Sequence, residues 1–167
     1  KTITYVESAL ASEGLQEASL KKLVEGLNKG TVSTLVVMGG NPAYDAPADL
    51  NFVEAMKKAS TTIQLGYYWD ETGQVANWHV PQSHALESWG DARGIDGTAS
   101  IVQPLIEPLF ESVTSIELLG FVLGGERKDG YDLVQDTWTK DFQGLSFEKA
   151  WRRWLHDGVV AGSAYRR

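Results

Sequence analysis

The chain has 167 residues, 43% of them hydrophobic, enough for one well-buried core and one compact domain. Fifteen Lys and Arg against twenty-two Asp and Glu leave a net charge of −7, which argues against a nucleic-acid backbone or an anionic membrane surface as partner. The absence of cysteine removes disulfides, thiolate zinc sites, iron–sulfur ligation and a cysteine nucleophile from this stretch, and no apolar run reaches the about eighteen residues of a membrane span.

Lys1 opens no targeting signal, and the chain starts without Met in a strand-like pattern. It is therefore expected to be a piece of a longer polypeptide. Thr2–Val6 alternates polar and apolar residues and predicts a strand. Ser19 then reads as the N-cap of a helix whose Leu20, Leu23, Val24 and Leu27 share a stripe ending at Gly30. Thr34–Met38 is a β-rich apolar run that stops abruptly at Gly39-Gly40-Asn41-Pro42, a turn before a helix. Asp49 reads as the cap of that helix, with Phe52, Val53, Met56 and Ala59 facing inward, and Thr61–Leu65 returns as a strand. Strand alternating with helix predicts βαβ units and a mostly parallel sheet, a Rossmann-like, three-layer α/β domain.

Residues 67–108 read as loop-rich and hold two of the three histidines and three of the six tryptophans. Thr98–Val102 is expected to return to the sheet. Ser115 is read as capping a helix that carries Ile116, Leu119, Val122 and Leu123 and stops at Gly124-Gly125, with 124–130 as a solvated linker. Two further helices follow, one with Tyr131, Val134 and Trp138, the other capped by Ser146, carrying Phe147, Trp151, Trp154 and Leu155 and closing at Gly158. The division expected is a Rossmann-like domain over 1–125 and a helical extension over 126–167 packed on it.

Ligands in open α/β sheets sit beyond the carboxyl ends of the strands, so the Gly39–Pro42 turn is the first candidate site. It is neither Gly-x-Gly-x-x-Gly nor a phosphate-cradling Walker loop. His79 and His84 lie about 140° apart on a helix and cannot share a metal there. On a short helix over 81–90, His84, Glu87 and Asp91 would align as a metal half-site or an acid–base pair. The favoured reading is a hydrogen-bonded network that pins a loop beside Trp89. Ser83 beside His84 is no hydrolase signal, because neighbours in sequence point different ways and no Gly-x-Ser-x-Gly elbow exists. The run Tyr67-Tyr68-Trp69 could stack a ligand base, although core and interdomain packing are commoner uses of such residues.

Four blocks occur in order: Gly39-Gly-Asn-Pro-Ala-Tyr-Asp-Ala-Pro47, Asp70-Glu-Thr72, Trp78-His-Val-Pro-Gln-Ser-His-Ala-Leu-Glu-Ser-Trp-Gly-Asp91 and Gly97-Thr-Ala-Ser-Ile-Val-Gln-Pro-Leu-Ile-Glu-Pro-Leu109. In this order they resemble the large-subunit family of molybdopterin oxidoreductases, most closely the fused molybdopterin-like and iron–sulfur subunit of bacterial alternative complex III. The resemblance covers roughly 31–111, and more loosely 147–164. It implies that Gly39, Gly40, Asn41, Pro42, Asp70 and Thr72 match positions near the guanine-dinucleotide half of the pterin cofactor, and that Pro81, His84 and Glu87 match a later proline-to-glutamate block. Nothing here matches the molybdenum ligand. The resemblance further implies iron–sulfur clusters elsewhere in the full-length chain, partners among its other domains and the subunits of a membrane complex, and a location on the periplasmic side of the bacterial cytoplasmic membrane.

Charge tests whether the turn still holds a pyrophosphate. No Lys or Arg occurs between Lys29 and Lys57, or between Lys58 and Arg93, while Asp45, Asp49 and Glu54 lie close by in sequence. Such carboxylates compete with a bound phosphate, and a multiply charged cofactor ordinarily finds a cationic clamp. The expectation is a scaffold domain of an electron-transfer subunit, with no cofactor and no catalytic or metal-ligating residue of its own. The alternative is a genuine molybdopterin guanine dinucleotide-binding domain.

Overall fold

The computed structural model describes residues 16–140 and 142–165 together with Thr2 and Tyr5; the strand expected over Thr2–Val6 rests on residues outside that set. The fold is mixed α/β and divides into two compact units: among the described residues, the first holds 16–83 with Phe110–Ser115, and the second holds Thr2, Tyr5, His84–Leu109 and the residues from Ile116 onward. The boundary expected at 125/126 falls inside the second unit.

In the first unit, α1 (Gln16–Asn28) leads into β1 (Thr34–Met38). The helix begins upstream of Ser19, which lies within it and is not its cap. After the turn come α2 (Pro42–Asp45), a 3-10 turn at Ala48–Leu50 and α3 (Phe52–Met56). Asp49 is not the cap expected there. Pro47 starts the 3-10 turn, and Asn51, in the left-handed region at φ 46°, then precedes α3, a conformation that asparagine tolerates better than most residues. β2 (Thr61–Gly66), α4 (Glu71–Val75) and β3 (Trp78–Pro81) complete the unit.

The three strands form a parallel sheet in the order β1-β2-β3. Across the sheet, Val36, Ile63 and Trp78 share one row of the register, and Val37, Gln64 and His79 the next. Val24 and Leu27 of α1, and Phe52, Ala55 and Met56 of α3, bury themselves with Leu35, and Val37 and Val75 pack against them. Neighbours in register share a face, so Val36, Met38, Ile63 and Trp78 stand on the opposite one, where Met38 and Trp78 are exposed. None of those four belongs to the buried cluster. Leu65, in register with Met38, shares that face and is fully buried, so both faces of the sheet bury a side chain, while the apolar cluster of this unit, among the described residues, lies on the first.

The second unit is built on a hairpin. Thr98–Val102 does not return to the parallel sheet; Ala99–Val102 (β5) pairs antiparallel with Gly90–Arg93 (β4). The hairpin turn explains why: Gly97 adopts φ +85°, Gly94 donates to Thr98 O, and Asp96 Oδ1 accepts from Thr98 N. α5 (Ser115–Gly124) starts at Ser115 itself, and Gly125 at φ +73° follows it. α6 (Gly130–Lys140) packs on β4, and α7 (Phe147–Asp157) packs on β5. Ser146 precedes α7 without a side-chain cap bond, and Gly158 closes the helix in the left-handed region. Trp151, 2% exposed, is the centre of this core with Ala99, Ile101, Val134 and Val160. Its ring stacks on Phe147 at 5.8 Å, and its Nε1 donates to Tyr131 Oη. The interval 67–108, read as loop-rich with one strand at Thr98–Val102, contributes α4, β3 and β4 besides β5.

Candidate functional site

The Gly39–Pro42 turn leaves the carboxyl end of β1, where the chain must reverse. Gly39 and Gly40 adopt φ of +67° and +72°, and a Cβ on either would meet nothing within 4 Å. The glycines therefore serve backbone conformation and not close approach. Gly39 N–H donates to Leu65 O, tying the turn to the end of β2.

Asn41 then reaches across to the start of α4. Its Oδ1 accepts from Thr72 Oγ1 at 2.8 Å and from Thr72 N at 3.2 Å, while its Nδ2 donates to Glu71 Oε2 at 2.6 Å. Ala43 N donates back to Thr72 Oγ1 at 3.0 Å. Thr72 is fully buried. These donors and acceptors admit one amide orientation, since the reverse would set NH2 against the Thr72 amide and oxygen against the Glu71 carboxylate. The structure thus brings Asn41 and its turn together with Asp70–Thr72, and spends their polar atoms on one another.

Asp70 has a different task. Its Oδ1 caps α4 by accepting from Gly73 N at 2.9 Å, and also accepts from Gln64 Nε2 at 2.8 Å. Gln64 Oε1 lies 2.9 Å from His79 Nδ1, which therefore carries the proton. Gln64 is fully buried, and Trp69 and His79 meet edge to face at 5.3 Å between ring centres. A Cβ on Gly73 would fall 2.7 Å from Gln64 Oε1, so this glycine is required by packing.

The same clasp recurs at the other end of the sheet. Asn77 Oδ1 accepts from Thr62 N at 2.7 Å and from Thr62 Oγ1 at 2.9 Å, and Asn77 N donates back to Thr62 Oγ1 at 2.8 Å. The asparagine–threonine pairing joins loop to strand there just as Asn41 and Thr72 join turn to helix. Sequence reasoning missed Gln64 and Asn77 and weighed His79 only as a metal ligand; Gln64 sits on a strand, where its polarity predicts a solvent face, yet it is fully buried and bonded to Asp70 and His79.

His84 and Glu87 belong to the second unit. Between β3 and β4 a 3-10 turn, Ala85–Glu87, forms, so the condition for aligning His84, Glu87 and Asp91, a short helix over 81–90, is not met. His84 N donates to Glu87 Oε2 at 2.8 Å, and Leu86 N donates to His84 Nδ1 at 3.2 Å, a reciprocal cap. Glu87 Oε1 accepts from Leu109 N at 3.1 Å. These backbone donors, His84 first and then Leu109, hold the Glu87 carboxyl below the ordinary glutamate range. Asp91 instead accepts from Trp138 Nε1 at 3.0 Å. The hydrogen-bonded network pinning a loop is what the structure contains. Ser83 shares a hydrogen bond with Ser112 at 2.8 Å.

The depression beside the turn, lined by Pro42, Ala43, Ala46 and Phe52 among others, measures 210 Å3. A larger groove of 610 Å3 lies between α1 and α3 and includes none of the turn or loop residues. Among the described residues, no three His, Asp or Glu side chains gather to hold a metal, and no helix is long and apolar enough to cross a membrane. No protein-family model matches the chain, and no curated protein sequence matches it significantly.

Proposed function

We propose that this chain is one domain of a molybdopterin oxidoreductase-like subunit of a membrane-associated respiratory electron-transfer complex, and that it acts there as a scaffold without a cofactor of its own. The lineage rests on the four ordered blocks from Gly39 to Leu109. Its partners are then the other domains of its polypeptide and the complex's subunits, and its place is the periplasmic side of the bacterial cytoplasmic membrane.

One observation carries the scaffold role: the Asn41 and Thr72 side chains, which the resemblance sets near a guanine dinucleotide, are bonded to each other in the pattern used by Asn77 and Thr62. A dinucleotide at this turn would have to break that clasp. It would also face the Glu71 carboxylate with no Lys or Arg from 30 to 56 or from 59 to 92 to neutralise its phosphates. The 210 Å3 depression is small beside ordinary ligand pockets of about 300–1,000 Å3. The residues present do not fit the group.

The alternative, a genuine molybdopterin guanine dinucleotide-binding domain, draws support from the position of the turn at the carboxyl ends of parallel strands. Titration with GDP, followed by melting temperature, separates the two. The scaffold role expects no saturable change at millimolar nucleotide; a saturable change abolished by Asn41→Ala and Thr72→Ala would establish the alternative.

A further inference from the structure

The carboxyl end of the parallel sheet carries an aromatic surface that the clasp leaves uncovered. Tyr67, Tyr68 and Trp69 leave the end of β2 in one run, 52%, 79% and 65% exposed. Tyr44, 77% exposed, lies in α2, which the Ala43–Thr72 bond ties to α4 directly after that run. Aromatic surface gathered at one end of a sheet marks an interaction site more often than scattered apolar residues do.

Charge narrows the partner. Asp45 in α2 and Glu71 in α4 are exposed, and Glu71 gives only one of its oxygens to Asn41. Neither forms an ion pair among the described residues, whereas Glu25, Glu54, Asp136 and Asp157 each meet a Lys or Arg. The surface therefore offers ring faces, which are electron-rich, beside carboxylates with no internal counter-charge. A cation with a flat, weakly hydrated face satisfies both; guanidinium does so, and the strongly hydrated lysine ammonium does so less well.

We propose that the face formed by Tyr44, Asp45, Tyr67, Tyr68, Trp69 and Glu71 docks an arginine-bearing segment of a partner protein, guanidinium groups stacking on the rings and pairing with Asp45 and Glu71. This rests on the scaffold reading, in which no nucleotide occupies this end.

The test is a nuclear magnetic resonance titration that follows the Trp69 indole N–H, assigned with Trp69→Phe. The probes are acetyl-(Gly-Arg)3-amide and its lysine and citrulline counterparts at low salt. The arginine peptide is expected to give a saturable shift, the lysine peptide to bind about fivefold more weakly, and the citrulline peptide to give none. Glu71→Gln, Asp45→Asn and Tyr68→Ala, all exposed positions, should each weaken the arginine peptide by about threefold or more, with unchanged circular dichroism. No saturable shift, an equal response to lysine, or indifference to all three substitutions overturns the proposal. GDP in the same sample tests the premise separately. A GDP response removes the scaffold reading, while silence to GDP with silence to arginine removes the docking proposal alone.

Discussion

Asn41→Ala deletes three hydrogen bonds, the two its Oδ1 accepts from Thr72 and the one its Nδ2 donates to Glu71. The Glu71 bond is exposed, and water replaces most of it. The Thr72 amide is another matter: it sits in the first turn of α4, where no helical carbonyl serves it, and Thr72 is fully buried. A buried donor stripped of its acceptor costs about 1–3 kcal/mol, and the lost hydroxyl bond adds about 1 kcal/mol. The sum is a destabilisation of about 2–4 kcal/mol, with the Ala43 N bond to Thr72 Oγ1 left in place. Asn41→Asp sharpens the test: it preserves Oδ1 but sets a second carboxylate where Nδ2 met Glu71 Oε2 at 2.6 Å. Like charges raise the carboxyl pKa values of the folded state above those of the unfolded chain. The penalty is therefore full at neutral pH and fades as pH falls through the raised folded values, where a shared proton restores the bond. Urea unfolding followed by circular dichroism gives the global figure, and Thr72 amide exchange gives the local one. A change below about 0.5 kcal/mol in Asn41→Ala, with Thr72 still protected, would refute the clasp and remove the support for the scaffold role.

Three further outcomes are expected. Gly73→Ala drives a methyl to 2.7 Å from Gln64 Oε1 inside a buried network, so it should cost about 1–3 kcal/mol by urea unfolding and disturb the His79 ring resonances. Trp151→Ala empties the centre of the second core and should cost about 3–5 kcal/mol, Trp151→Phe distinctly less, read by thermal melting. The Glu87 carboxyl is held low in the folded chain by backbone donors, so the stability it adds is present above the ordinary glutamate pKa and is lost as pH falls through the lowered folded value. The protection of the Leu109 amide, relative to its intrinsic exchange rate, should fall over that acid range in the native protein and be absent across the range in Glu87→Ala.

What the sequence displays well is the layout around β1 and β2. A β-rich run ending in two glycines and Asn-Pro announces strand and turn, and both glycines need positive φ. β3 escapes because it has four residues and ends in a proline, so the alternation Trp78-His79-Val80 is too short to stand out. The hairpin of the second unit escapes for another reason: β4 is mostly exposed, so burial writes no period into its sequence. Asp96-Gly97 at its turn is a dipeptide suited to hairpin loops, a cue that the sequence reading did not use. In the candidate site, the turn was legible from its residues, Asp70–Thr72 joined it only through the resemblance, and the bonding between Asn41 and Thr72 was not legible at all. Side chains able to hold a ligand are equally able to hold each other, and only distances tell which they do.

The return of Phe110–Ser115 to the first unit bears on how the protein is made. Val113 N donates to Pro81 O, and Ser83 N donates to Val113 O, so the end of β3 finds these partners some thirty residues downstream. A ribosome releases the chain in order. The first unit therefore waits for residue 113 to emerge, by which time the whole β4–β5 ribbon is already outside the exit tunnel, and a protease that nicks that ribbon early would strand a half-finished sheet.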